Sequence, residues 1–267
     1  MKKQFLSAAF IALSLITGVI ACQKDSSENN EGKARLQVRL TDAPAAYDAV
    51  NIDIQKVMIN TSADTSTTEG WVELPLLHPG IYNLLDFRNG IDTVLADMEV
   101  PAGRINQIRL VLGPNNSVVI AGVEHELKTP SAQQSGLKLQ LKADLTAGIL
   151  YRLYIDFDAS RSVVTAGNSG QYILKPVIRT YAEASGGSLK GFVLPKEALA
   201  QVWAIQNTDT LLALPDVVTG YYFFGGLNAG SWKVVFDAQA PAFRDSTINV
   251  NVTSGVVTDA GTLTLKP

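Results

Sequence analysis

The sequence predicts an all-β protein, two β-sandwiches in tandem behind an N-terminal export segment and a polar tether. Three observations point there. Apolar and polar residues alternate with a period of two through most of the chain, as half-buried strands require. Turn residues interrupt that alternation at short intervals, and only one short helical stretch stands out. Composition agrees: of 267 residues, 46% are hydrophobic and only 18% charged, and Val, Ile, Thr, Leu and Gly are plentiful, which suits pleated surfaces.

The elements follow in order. Lys2 and Lys3 precede an apolar run over residues 5–20, which ends in Val19-Ile20-Ala21-Cys22. A basic start, an apolar middle and a small residue before the cut make residues 1–21 a signal peptide, cleaved between Ala21 and Cys22. At roughly sixteen residues the apolar run is short for crossing ~30 Å of hydrocarbon. Cys22 is the single cysteine, so no intramolecular disulfide is available to the fold. A cysteine placed directly after such a cut resembles the lipobox of bacterial lipoproteins. That resemblance implies acylation of the Cys22 sulfur, with palmitate among the chains, and a membrane partner reached through the N-terminal lipid. Gln23, where an aspartate would favour the inner membrane, implies an outer-membrane location facing the periplasm or the cell surface.

Residues 22–33 form the lipidated tether; from 23 to 33 no residue is apolar, so nothing there can be buried and disorder is expected. Removing residues 1–21 takes away two lysines and no acid, so the formal net charge moves from −3 to −5. An acidic balance of this kind argues against a nucleic-acid partner, which calls for basic stripes.

The first domain is expected over residues 34–183. Ala34, Leu36, Val38 and Leu40 alternate with Arg35, Gln37, Arg39 and Thr41, and Thr41-Asp42-Ala43-Pro44 then reads as a turn. The same period returns at Val50-Ile52-Ile54, Ile108-Leu110-Leu112, Leu137-Leu139-Leu141 and Tyr151-Leu153-Ile155-Phe157. One short helix is expected over residues 91–98, and one last strand over residues 172–178. Ala184-Ser185-Gly186-Gly187-Ser188 reads as a flexible linker. The second domain, residues 189–267, shows seven short strands: 189–194, 200–206, 210–214, 220–224, 230–237, 245–252 and 260–265. Trp232, Val234 and Phe236 provide its bulky inward face, with Trp203 a further core residue.

Two families are resembled. Leu40-Thr41-Asp42-Ala43-Pro44, Tyr47-Asp48-Ala49-Val50-Asn51, Trp71-Val72-Glu73-Leu74, Tyr82-Asn83-Leu84-Leu85, Ser135-Gly136-Leu137-Lys138-Leu139, Ile155-Asp156-Phe157-Asp158-Ala159 and Tyr172-Ile173-Leu174-Lys175-Pro176 occur in order. Through them residues 34–182 resemble the domain of unknown function family 4382 (DUF4382), found in envelope lipoproteins. The resemblance implies a class and no activity. Gly187-Ser188-Leu189-Lys190-Gly191, Gly220-Tyr221-Tyr222-Phe223 and Ala229-Gly230-Ser231-Trp232-Lys233-Val234 resemble the carboxypeptidase regulatory-like, transthyretin-type sandwich. That likeness implies a non-catalytic spacer or docking module.

Candidate chemistry is sparse. The two histidines, His78 and His125, stand in a turn and a hairpin without the spacing of a zinc site. Asp156 and Asp158 flank Phe157 and are the candidate metal ligands, although calcium wants about six to eight oxygens. Gly167-Asn168-Ser169-Gly170 lacks the strand-to-helix context of a nucleophile elbow, and no pair of carboxylates is singled out for glycoside hydrolysis. Trp71 and Tyr82 are the candidate ligand-binding residues, as aromatic platforms for a sugar, with Tyr221 and Tyr222 behind them. The expectation is therefore a non-catalytic binding, adhesion or scaffolding protein with no cofactor, recognising a glycan or an envelope protein. The rival is a hydrolase of envelope or dietary polysaccharide.

Overall fold

The four-stranded sheet of the first sandwich is built around β1 (Lys33–Ala43), which runs parallel to β10 (Leu150–Asp158) and antiparallel to β5 (Thr93–Pro101); β13 (Ile178–Ala182) completes the order β13-β10-β1-β5. The computed structural model describes residues 32–43, 45–62, 70–129, 136–167 and 169–267. Ala21, Cys22, the signal peptide and residues 22–31 of the tether lie outside them, as do Pro44, Ser135 and Asn168.

The facing sheet turns on β2 (Ala49–Asn60). This long strand pairs with β3 (Trp71–Leu74), β4 (Gly80–Asn83), β6 (Gly103–Leu112) and β7 (Ser117–Ile120). The sheet extends from β6 to β9 (Leu137–Leu145), and from β7 through β8 (Val123–Lys128) and β12 (Tyr172–Leu174) to β11 (Val163–Thr165). Between the sheets Val38, Leu40, Ile52, Ile54, Ile108, Ile155 and Phe157 are fully buried, each contributing about 1.5–3 kcal/mol of apolar burial. These are the residues whose alternation marks the strands in the sequence.

Several expectations are corrected. Residues 93–101 form β5, so most of the helix expected over 91–98 is strand. Thr93 and Val94 are β-branched and stiff at χ1, and pairing with β1 gives the backbone its partners at the sheet edge. Adjacent Leu95 and Ala96 are both buried, because β5 is bulged at Leu95, the extra residue opposite the Val38–Arg39 step of β1; a two-residue apolar step of that kind reads as helical. The helical pieces described in this domain are a 3-10 turn at Leu84–Phe87, capped by Asn83, and one turn at Ala159–Ser162, capped by Asp158.

The strand expected over residues 172–178 is two strands in different sheets, β12 and β13. Pro176 has no N–H to donate to a ladder, and the chain crosses between sheets there. Buried Ser162 holds the crossing: its carbonyl accepts the Lys175 N–H at 2.8 Å and its hydroxyl the Val177 N–H at 2.9 Å.

Thr41 and Asp42 do not turn; β1 continues through them and both are buried. Asp53, although it alternates with inward Ile52 and Ile54, is buried as well, because its carboxylate closes the loop after β6. It accepts from the Asn115 backbone and amide at 3.2 Å each and from Gln55 Nε2. A Cβ on Gly113 would lie 2.1 Å from Asp53 Oδ2, so this close approach requires glycine there.

The second sandwich has the seven strands its alternation announces. A three-stranded sheet, β17 (Tyr221–Leu227), β14 (Gly187–Leu194) and β20 (Val257–Thr264), faces a four-stranded one, β16 (Asp209–Ala213), β15 (Gln201–Gln206), β18 (Gly230–Asp237) and β19 (Ser246–Val252). Trp232, Val234 and Phe236 are buried against Tyr222 and Phe224. Trp203 is only half-buried, since Val202 and Ala204 take the inward positions of β15. Gly187 and Ser188, expected in a flexible linker, already belong to β14. The chain turns ahead of them, with the Ser185 N–H donating to the Ala182 carbonyl at 3.1 Å. Glu31–Pro267 forms one compact unit. Among the described residues no helix is long and apolar enough to cross a membrane.

Candidate functional site

Chemistry-bearing side chains converge where the two sandwiches meet. Asp156 on β10 and Arg179 on β13 stand opposite each other in the ladder. Arg179 donates Nε to Asp156 Oδ2 at 3.0 Å and adds a second bond from Nη2. The same guanidinium donates to the other sandwich, from Nη1 to the Gly226 carbonyl at 3.2 Å and from Nη2 to the Gly225 carbonyl at 2.9 Å. Its Cζ lies 5.0 Å from the centroid of the Tyr181 ring, which stacks on Tyr154 at 4.9 Å.

Glycines make this contact close. Gly226, at φ 63°, would place a Cβ 2.3 Å from Tyr181 Cγ, and Gly90 would place one 3.0 Å from the Phe223 ring. Asn89, with φ 54°, turns the loop after the Leu84–Phe87 turn towards the second sandwich, and its Nδ2 donates to the Leu214 carbonyl at 3.4 Å.

A half-open cavity of about 150 Å³ lies at this joint. Asp42 reaches it from the end of β1, Asp156 and Asp158 from the end of β10, and Asn89 from its loop; Phe157, Leu211, Leu212 and Phe224 supply apolar wall. Asp42 is 4% exposed. Burial pushes its carboxyl well above the usual carboxylate range; the Ala159 N–H, donating to Oδ1 at 3.1 Å, opposes the shift, and nearby Asp156 and Asp158 add to it. Its Oδ2 and the Asn89 Oδ1 are buried, and among the described residues neither has a hydrogen-bond partner. Burial also raises Asp156, against the pull of Arg179.

The expected site residues are thereby placed. Asp156 serves an ion pair. Asp158 caps the short helix, accepting from the Arg161 N–H at 3.0 Å and the Ser160 hydroxyl at 2.7 Å. Among the described residues no three acidic, histidine or cysteine side chains are arranged to hold a metal ion. Trp71 stands elsewhere, half-buried on β3, with the Arg109 guanidinium 3.9 Å over its ring, so one of its faces is already covered. Tyr82 on β4 donates its hydroxyl to the His78 carbonyl and leans towards Phe87 at 6.3 Å. Tyr222 is core, whereas Tyr221 meets partly exposed Phe192 edge-on at 5.5 Å. His125 lies against Tyr172 at 4.9 Å. Asn89 is the residue that sequence reasoning misses, the Asn-Gly pair at 89–90 being the available sign of a left-handed turn; Asp42, one of a sequence cluster of aspartates with Asp48 and Asp53, reads there as a turn acid, whereas the structure buries it.

Among solved structures, the TIE protein of Bacillus anthracis aligns over 88% of this chain and 34% of its own, with 10% identity and a TM-score of 0.26; the chain thus spans about a third of that protein. The shaft pilin SpaA of Lactobacillus rhamnosus GG, as an E269A mutant, aligns over 88% and 97%, with 7% identity and a TM-score of 0.24. The minor pilin GBS52 of Streptococcus agalactiae aligns over 86% and 95%, with 11% identity and a TM-score of 0.23. Likenesses at this level carry no argument. No curated protein matches the chain. The model of the domain of unknown function DUF4382 matches residues 33–176, more than half of the chain and almost all of the first sandwich. The chain belongs to the DUF4382 family.

Proposed function

We propose that this is a lipid-anchored envelope protein that binds or scaffolds and does not catalyse, its second sandwich acting as a docking module of the carboxypeptidase regulatory-like kind. One observation carries the reading: the Arg179 clamp. A guanidinium that neutralises Asp156 and ties down two carbonyls of the neighbouring sandwich makes a stiff two-part body. Stiffness of this sort serves presentation of surface loops, which recognise partners while the sheets supply stability. Of the acids at the joint, Asp156 serves an ion pair and Asp158 a helix cap. The three-plus-four strand arrangement after Gly187 supports the docking-module part. The cysteine after a signal-like segment supports the anchor, since a multiply acylated N-terminus holds to a bilayer where one chain alone is marginal.

The test uses the full chain expressed in a Gram-negative host fed an alkyne-tagged palmitate. The expected result is a labelled outer-membrane protein whose label disappears in Cys22→Ser. The detergent-extracted protein is then assayed on ester, peptide and glycoside substrates. Labelling that persists in Cys22→Ser removes the anchor; turnover abolished by one acidic or hydroxyl substitution removes the non-catalytic reading.

A further inference from the structure

The joint cavity has a charge and hydrogen-bond account that does not close. Three carboxylates face it, those of Asp42, Asp156 and Asp158, with two guanidiniums, those of Arg161 and Arg179. Arg179 belongs to Asp156, and Arg161 lies 3.8 Å from Asp158. Among the described residues no cation contacts Asp42, and Arg88 draws on it only weakly. The two polar atoms left unsatisfied, Asp42 Oδ2 and Asn89 Oδ1, are both acceptors. What the cavity lacks is a donor, and a positively charged one.

We propose that this cavity binds a small primary alkylammonium ion, its nitrogen donating to Asp42 Oδ2 and Asn89 Oδ1. An ammonium brings three N–H donors and no acceptor, which matches two open acceptors and leaves one donor for water or a carbonyl. The remaining wall decides against a bare metal ion. Calcium demands about six to eight oxygens, whereas Phe157, Leu211, Leu212 and Phe224 offer carbon. Those side chains suit an alkyl body, and aromatic faces attract cations. The volume, about 150 Å³, equals about five waters at ~30 Å³ each, enough for an amine of a few heavy atoms. The upward push on the Asp42 carboxyl agrees with this, because a buried acid without a counter-ion takes up a proton that an arriving cation displaces. The assignment rests on the non-catalytic binding reading above and adds to it a ligand held by Asp42 and Asn89.

The experiment titrates the full chain, in detergent, with methyl-, ethyl- and butylammonium chloride. Methanol, ethanol, butanol and calcium chloride at matched ionic strength are the controls, and the readouts are the melting temperature and isothermal calorimetry. A saturable rise in melting temperature is expected for at least one amine and for none of the alcohols. Asp42→Asn, which keeps an oxygen for the Ala159 N–H, should weaken binding at least tenfold. Asn89→Gly, which accepts the left-handed backbone, should weaken it as well and guards against misfolding of the first variant. Equal responses to amines and alcohols, no saturable response, a response to calcium alone, or amine binding that survives both substitutions would each overturn the proposal. Chemical conversion of the amine would instead sink the non-catalytic reading, so the two failures are distinct.

Discussion

Asp156 and Arg179 face each other across neighbouring strands, and the guanidinium that neutralises the acid is the one that reaches the carbonyls of Gly225 and Gly226 in the other sandwich. One side chain therefore serves an electrostatic need inside the first sandwich and a mechanical one between the two. Each role constrains how the other can be lost.

Arg179→Ala strips the counter-charge from a buried acid and removes two inter-sandwich bonds. Breaking such a pair typically costs about 3–5 kcal/mol; the partial exposure of Arg179 sets the expectation at the lower end, about 3 kcal/mol by urea titration. The loss should appear together with a split of the unfolding curve into two transitions, one for each hydrophobic core. A single, unshifted transition would show that the sandwiches are held together by something else.

Asp42 sets a pH dependence. Its folded carboxyl is raised by burial, so between the unfolded value, ~3.9, and the folded one the native state holds a proton that the unfolded chain has released. Stability then falls as pH rises through that window, at ~1.4 kcal/mol per pH unit for this group. Asp42→Asn cannot titrate and gives the cavity an N–H donor. Its stability should exceed that of the parent at neutral pH, and the gap should close below about pH 4. Denaturant titrations of both proteins across the acid range check the sign; a parent more stable than Asp42→Asn at pH 7 would contradict it.

Gly226→Ala tests the closeness of the joint. The new methyl meets the rigid Tyr181 ring at 2.3 Å, at a backbone φ of 63° that favours glycine. Overpacking and left-handed strain each cost about 1–3 kcal/mol, so a loss of about 3 kcal/mol is expected in chemical denaturation. Gly122→Ala, also at positive φ but with open space around its Cβ position, supplies the strain alone and should lose about 1 kcal/mol.

Much of this architecture is legible one strand at a time. Trp232, Val234 and Phe236 declare an inward face because every second residue is bulky, and Ile52 and Ile54 do the same in β2. Legibility fails where burial comes from a distant part of the chain. Asp42 resembles any acid at a strand end until β10 and the second sandwich cover it. Leu95 and Ala96, adjacent and both inward, break the period of two because β5 itself is bulged at Leu95. Pro176 could have been read as the break between β12 and β13, since a residue without an N–H does not sit mid-ladder. Asn89 belonged to no periodic pattern at all, so the open acceptor in the joint had no signal beyond its Asn-Gly pair.

The position of β1 has a bearing on how the chain comes to be folded. It is the earliest strand described, yet it is flanked on both sides, and its parallel partner joins Arg35 to Leu150. The earliest strand described can pair with β5 once that is made, but its other side, and with it the full burial of Leu36, Val38 and Leu40, stays incomplete until β10 follows. Non-local pairing of this kind is slow and leaves sticky intermediates. A cell producing this protein has reason to shield that early segment with a holding chaperone until the late strand arrives.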